Sequence, residues 1–366
     1  RFLNYTYIIG MILNYEIFEI VNIVAMTIGI TFGAIAQKTQ FCFNGAIKDY
    51  ILLGSTRRAS SVIIAMISAI LFTYTVNIIY DLDLTETVWF NENINYFTIV
   101  IGGCLFGIGM MLADGCSSRN IIKLSQGDAR SFITLLFIAM FAYLSTDGIL
   151  QSMIHSLTSN SILIDISQKI EKIQLNIFVI LFLLCIILYK LVTRIDRVFV
   201  LKDGVIVGLL IAIGWYITGV YGAQTLELDT RYVYLTSITF VGPLSHTLEI
   251  VTNYNNTNLD FGISVIIGMF IGAFTMSRFN TKYSFGCTSN IKTNKILNNI
   301  IGGSLMGIGG TMSIGCTVGQ GLTGLSTLAF ASVVAILSIF ISAYLMGKYL
   351  HSKQELPMCF VFEWDK

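Results

Sequence analysis

Apolar residues run in blocks of roughly 17 to 25 along most of this chain, the length an α-helix needs to cross the hydrocarbon core of a bilayer. The blocks fall at 17–36, 59–80, 96–113, 131–150, 174–193, 203–221, 259–278, 296–314 and 325–349. They predict an all-α, polytopic membrane protein of about nine transmembrane helices, with 1–366 forming a single integral membrane domain. Shorter apolar pieces near 39–53, 151–168, 232–252 and 283–292 are too short or too polar to cross, and are expected to be short re-entrant or interfacial helices. Residues 1–15 are apolar but too short to span. Because the chain begins at Arg1, its N-terminus is expected to be truncated or processed.

The polar positions give the blocks a direction. Alternate connections lie on opposite faces of a membrane, and Lys and Arg collect on the cytoplasmic face. With nine spans, one face receives Lys38, Lys48, Arg57 and Arg58, then Arg119, Lys123 and Arg130, then Lys190, Arg194, Arg197 and Lys202. It also receives Arg278, Lys282, Lys292 and Lys295, and at the end Lys348, Lys353 and Lys366. The other face receives Arg1, Lys169, Lys172 and Arg231, a split of 18 to 4. One helix more or fewer would invert every later connection. The expected orientation therefore has the N-terminus outside and the C-terminus in the cytoplasm.

One segment occurs twice, 200 positions apart. Residues 101–120 align with 301–320. Ile101, Gly102, Gly103, Leu105, Gly107, Ile108, Gly109, Gly115 and Cys116 recur as Ile301, Gly302, Gly303, Leu305, Gly307, Ile308, Gly309, Gly315 and Cys316. The first copy ends the third span and the second ends the eighth, so five crossings separate them and the copies point in opposite directions. That arrangement predicts two inverted-topology repeats, 17–150 and 203–349, joined by a linking span at 174–193.

Composition removes other classes. The chain is 55% hydrophobic and 12% charged, with a mean hydropathy of +0.76. A net charge of +1 gives no field that would draw a nucleic acid. Seven cysteines without a Cys-x-x-Cys pair, and scattered His155, His246 and His351, support neither a metal site nor a disulfide framework. No cofactor or ATP-binding motif is present, and no catalytic residue is assigned.

The candidate site lies where the repeated helices break. The glycines before each break allow close helix packing. Packing does not explain why each helix then gives way, at Gly115-Cys116 and Gly315-Cys316, to a polar stretch: Ser117-Ser118-Arg119-Asn120, and Thr317-Val318-Gly319-Gln320-Gly321. Broken backbone at membrane depth is tolerated where it is buried in protein or lines a cavity. A cysteine in an apolar setting stays a neutral thiol and donates a weak S–H hydrogen bond. Cys116 and Cys316, with Cys42 after the first span, are thus candidate contacts for a soft, sulfur-bearing anion, beside Gly115, Gly315, Ser117 and Thr317. Helix ends next to them would add N–H donors.

Other residues carry two readings. Cys104, Cys185 and Cys359 read as packing, and Cys287 as a bystander or a fourth thiol of the path. Arg119 is either a topology signal or an anion attractor. Asp114 has the wrong sign for an anion site and is expected to pair locally.

Several motifs together resemble the YeeE/YedE family of bacterial membrane proteins. They are Phe41-Cys42 with Gly45-Ala46 and Asp49, Gly102-Gly103 through Gly107-Ile108-Gly109-Met110 to Gly115-Cys116-Ser117, Phe240-Val241-Gly242-Pro243-Leu244, and Gly302-Gly303 to Gly315-Cys316. The resemblance covers roughly 20–350. It implies thiosulfate uptake across the bacterial inner membrane by an hourglass of inverted halves, with Cys42, Cys116 and Cys316 passing the anion inward by transient S–H hydrogen bonds. It also implies a small cytoplasmic sulfur carrier of the TusA type as partner. Departures fall at Asp114, where a small residue is usual, and at Ser118-Arg119. Two rival functions stay open: transport of a selenium compound, and a membrane-embedded thiol enzyme of sulfur transfer. The enzyme needs an activated thiolate, and no histidine lies near Cys42, Cys116 or Cys316 in sequence.

Overall fold

In a bilayer every backbone polar group needs a partner inside the protein, and helices supply one locally. The structure, a computed structural model, describes residues 2–90, 94–158, 176–193, 202–225, 233–252, 259–279 and 295–356, and contains no β-strand among them. The helices are α1 (Phe2–Thr39), α2 (Phe43–Leu53), α3 (Arg57–Tyr80), α4 (Tyr96–Leu112), α5 (Ser117–Ser125), α6 (Ala129–Thr146) and α7 (Gln151–Thr158). After these come α8 (Ile177–Val192), α9 (Lys202–Tyr216), α10 (Val241–Thr252), α11 (Phe261–Phe279), α12 (Lys295–Met312) and α13 (Phe330–Ser352). Wider π-helical turns cover Ile217–Tyr221 and Gly319–Gly324.

Helices occupy all nine predicted blocks. Among the described residues, seven stretches are long and apolar enough to cross a membrane: Ile17–Leu53, Arg57–Tyr80, Tyr96–Ser125, Ala129–Thr146, Lys202–Thr225, Phe261–Phe279 and Phe330–Ser352. The other two blocks fall short for different reasons. α8 has only 16 residues, and α12 dilutes its apolar content with Asn298, Asn299, Ser304 and five glycines. The first block belongs to one helix of 38 residues that begins at Phe2, not near residue 17. The expected short helices appear at α2, α7 and α10. The piece at 283–292 lies outside the described residues, as do Cys287 and Cys359.

Local chemistry explains the ends and interiors of these helices. Side-chain oxygens of Asn95, Asp128 and Asn176 accept the first free N–H groups of α4, α6 and α8 at 3.0–3.2 Å. Within the spans, hydroxyls turn back onto the carbonyl one turn earlier: Thr27 to Ile23, Thr75 to Leu71 and Ser304 to Ile300.

Helices pack along glycine stripes, and their contacts reveal direction. α4 and α12 cross backbone to backbone. A Cβ on Gly102 would lie 2.8 Å from the Gly309 carbonyl oxygen, and one on Gly109 would lie 2.6 Å from that of Gly302. The start of one helix thus meets the end of the other, so the pair is antiparallel. Gly103 and Gly107 of α4 face Ser338 and Ser342 of α13 in rising order, so that pair is parallel. By the same token α12 runs parallel to α6, α11 to α1, and α9 to α3. α2 lies against α3 and α13, and α10 against α11 and α6.

Candidate functional site

Two helices, α4 and α12, end at matching breaks. At the end of α4 the N–H groups of Ala113 and Gly115 bond to the carbonyls of Gly109 and Met110 at 2.9 and 3.0 Å. At the end of α12 those of Ser313 and Gly315 bond to Gly309 and Gly310 at 2.9 and 2.8 Å. Asp114 and Ile314 take the left-handed conformation between them, with φ of 57° and 56°. Such a termination satisfies the last carbonyls of a helix, usually with glycine at that position. After each break the chain restarts as a short helical segment, α5 on one side and the π-helical Gly319–Gly324 turn on the other.

Both restarts begin on a cysteine, as does α2, which follows α1. Cys42 is the N-cap of α2, and its sulfur accepts from the Gly45 N–H at 3.3 Å. Cys316 uses its sulfur in the same way toward the Gly319 N–H, also at 3.3 Å. Cys116 caps α5 without such a bond; its thiol lies 3.3 Å from the Ser118 hydroxyl. The Cys42 thiol and the buried hydroxyl of Thr317 lie close to the Cys116 thiol, and that hydroxyl makes no hydrogen bond to a described residue. The relative exposures of Cys42, Cys116 and Cys316 are 5%, 1% and 0%, so the thiols sit inside the protein and do not face lipid.

The structure therefore brings Cys42, Cys116 and Thr317 together, with Ser117 and Cys316 next to them in the chain. Ser117 is fully buried, and its hydroxyl makes no hydrogen bond to a described residue, which leaves a donor for a ligand. Gly115 and Gly315 act through backbone geometry. Gly315 has φ 147°, a conformation other residues rarely adopt. Short helices whose N-termini gather at one place favour an anion there, because their first N–H groups lack intrahelical partners. Cys104 is half-buried and Cys185 exposed, away from this cluster.

Polar residues around the breaks were only partly legible in the sequence. Asn120 donates to the Gly115 and Cys116 carbonyls at 2.9 and 3.0 Å, and Gln320 donates to the Ser313 carbonyl, so each break carries a side-chain latch. Arg119 is buried and donates to the Gln40 side chain at 2.7 Å. Asp114 pairs locally with Lys123 at 3.1 Å, as expected, and also with Lys48, which is 66 positions away. The Lys48 contact has no local signal, since it exists because α2 folds back beside the end of α4. Among the described residues no group of His, Cys, Asp and Glu is arranged to hold a metal.

The sulphur transport family's sequence model matches residues 38–345, a span that contains all three cysteines. Over 348 residues the chain is 23% identical to the thiosulfate transporter TsuA of Spirochaeta thermophila, an overlap of 88% of this chain and 96% of that protein. It is 21% identical to the thiosulfate transporter TsuA of Escherichia coli, covering 80% of this chain and 84% of that protein. A shorter match, 35% identical over 106 residues, joins it to the probable transporter YedE of Escherichia coli, covering 28% of this chain and 24% of that protein.

Proposed function

The chain belongs to the sulphur-transport (YeeE/YedE) family, and from that premise we propose that it takes up thiosulfate, or a closely related sulfur anion, along a path lined by Cys42, Cys116 and Cys316. The observation that carries this reading is the meeting of the Cys42 and Cys116 thiols with Thr317, where two spans running in opposite directions break. A neutral thiol offers one weak donor, so an anion handed between several is held without being trapped. Ser117 and the helix starts add donors along the same short interval. This is carriage without covalent change and needs no catalytic residue.

The full proposal includes nine spans in two inverted repeats. Exchanging α1 with α9, α3 with α11, α4 with α12 and α6 with α13 turns each packed pair into another. The α1–α11 pair becomes α9–α3, α4–α13 becomes α12–α6, and the α4–α12 crossing maps onto itself. The directions agree as well. α3 and α9 run parallel, which an up-and-down chain achieves when α8 also crosses. The distribution of Lys and Arg supports an N-terminus outside and a C-terminus in the cytoplasm of a bacterial inner membrane. The partner receiving the anion there is a small TusA-type sulfur carrier.

The test is uptake of labelled thiosulfate by cells that lack their own importer and express this protein. Cys116→Ala and Cys316→Ala are each expected to lower the initial rate about tenfold, the factor carried by a lost hydrogen bond to a charged group of ~1.5 kcal/mol. Full uptake by both variants at normal membrane levels would sink the thiol path. Uptake of labelled selenite in place of thiosulfate would identify the rival cargo.

A further inference from the structure

Beneath the thiols lies a set of buried charges that the relay leaves without a role. Lys48 stands on α2, whose first residue is capped by Cys42; Lys123 stands on α5, capped by Cys116. Asp114, just before the break, holds both, one on each carboxylate oxygen, and Lys123 also lies 3.6 Å from Asp128. The side chains of Lys48, Lys123 and Asp114 are 5%, 3% and 9% exposed. Arg130 flanks Asp128, and Arg119 stands one turn above Lys123. Burying such ions is costly, and an apolar cluster of equal volume often holds a fold as well.

The protein contains its own control for whether the break needs them. At the equivalent positions of the second repeat stand Ile314 for Asp114, Gly319 for Arg119 and Thr323 for Lys123. The break there has the same hydrogen bonds and the same φ within a degree. The charges are therefore not required to shape the turn. They are confined to one half, beside the two thiols that meet, and Lys48 lies within electrostatic reach of Cys42.

A sulfur oxyanion such as thiosulfate carries two negative charges, and S–H donors offset only a small part of them. A dianion leaving water for a protein interior needs a full opposing charge close by. A lysine on a flexible stem can supply one and move with it. We propose that Lys48 is an anion-binding residue of the path, held by Asp114 when no anion is present and exchanged onto the anion at the Cys42–Cys116 step. Asp114 is then a positioning residue: as a resident competing carboxylate it reclaims Lys48 and releases the anion. This deepens the uptake reading and rests on it.

Initial rates of thiosulfate uptake across concentration test the exchange, in wild type and in Lys48→Gln, Lys48→Arg and Asp114→Asn. Lys48→Gln is expected to raise KM about tenfold, and Lys48→Arg to recover most of that loss. Asp114→Asn is expected to lower KM and maximal rate together, because the anion then leaves slowly. A merely structural cluster would change the amount of folded protein and leave KM alone. If single variants fail to reach the membrane, Lys48→Gln/Asp114→Asn, which removes the pair together, is still expected to show the raised KM. KM within twofold of wild type in the variants that reach the membrane overturns the inference while leaving the uptake reading intact. A wild type that carries no thiosulfate overturns the uptake reading itself, and this inference with it.

Discussion

At the residue scale, the pairing of Asp114 with Ile314 shows how unlike side chains can serve one backbone shape. Both occupy the left-handed region that glycine usually fills, and the hydrogen bonds around them hold the conformation. The equivalence of Cys116 and Cys316 was legible because a repeat records position directly. The Lys48–Asp114 contact was not, since sequence carries no trace of a helix folding back across 66 residues. A second long-range pair gives a prediction at this scale. His246 of α10 meets Asp260, which caps α11, at 3.0 Å, with Glu249 and Asp147 also nearby. The Asp260 carboxylate raises the His246 pKa above its ordinary 6.5. The charged pair thus contributes fully below about pH 6.5 and loses its contribution as pH rises through the folded-state value. Both side chains are partly exposed, so the pair is worth about 0.5 kcal/mol. His246→Gln is expected to lower the melting temperature by about 0.7 °C at pH 5.5 and by nothing measurable at pH 9. An equal deficit at both pH values would exclude the charged pair as its source.

At the element scale, the long apolar helices could be read from the sequence, whereas α5 could not. Its run Ser117-Ser118-Arg119-Asn120 reads as an unwound polar stretch, yet it forms a buried helix because protein surrounds it on the membrane interior. Short polar helices lack the periodic apolar face on which pattern reading depends. The glycine stripes, by contrast, announced close packing and deliver it. At the α4–α12 crossing a Cβ on Gly309 would lie 2.5 Å from the Gly102 carbonyl oxygen, a contact with backbone that has no rotamer to escape into. Gly309→Val is expected to cost upwards of about 3 kcal/mol and to abolish the monodisperse peak of a fluorescent fusion on size exclusion. Gly242→Ala, at a site where nothing lies within 4 Å, should leave that peak unchanged. A normal profile for Gly309→Val would mean that the two helices do not touch there.

At the scale of the whole molecule, length and hydropathy alone find seven stretches able to cross a membrane among the described residues, and the parity of helix directions supports the larger number proposed above. α8 is short and α12 is diluted by glycine and asparagine, so length and hydropathy pass over both; the directions of the packed helices are what support the proposed count of nine. Reporter fusions at Asn176 and Thr193, the two ends of α8, are expected to land on opposite faces of the membrane, with a fusion after Lys353 on the cytoplasmic face. Identical readings at Asn176 and Thr193 would remove α8 as a span and undo the inverted relation between the halves.

The α4–α12 crossing also has a mechanical consequence. Ser313 abuts Gly102 and Ala113 abuts Gly302, so the two breaks lie at opposite ends of one backbone-to-backbone contact. With almost no side chain between the helices there is little to shear, and sliding would drive carbonyls into α-carbons, whereas a small change of angle costs little. The crossing is a fulcrum. Any change of angle about it moves the ends of both helices at once, each break relative to the start of the partner helix, so that neither break can shift without the other.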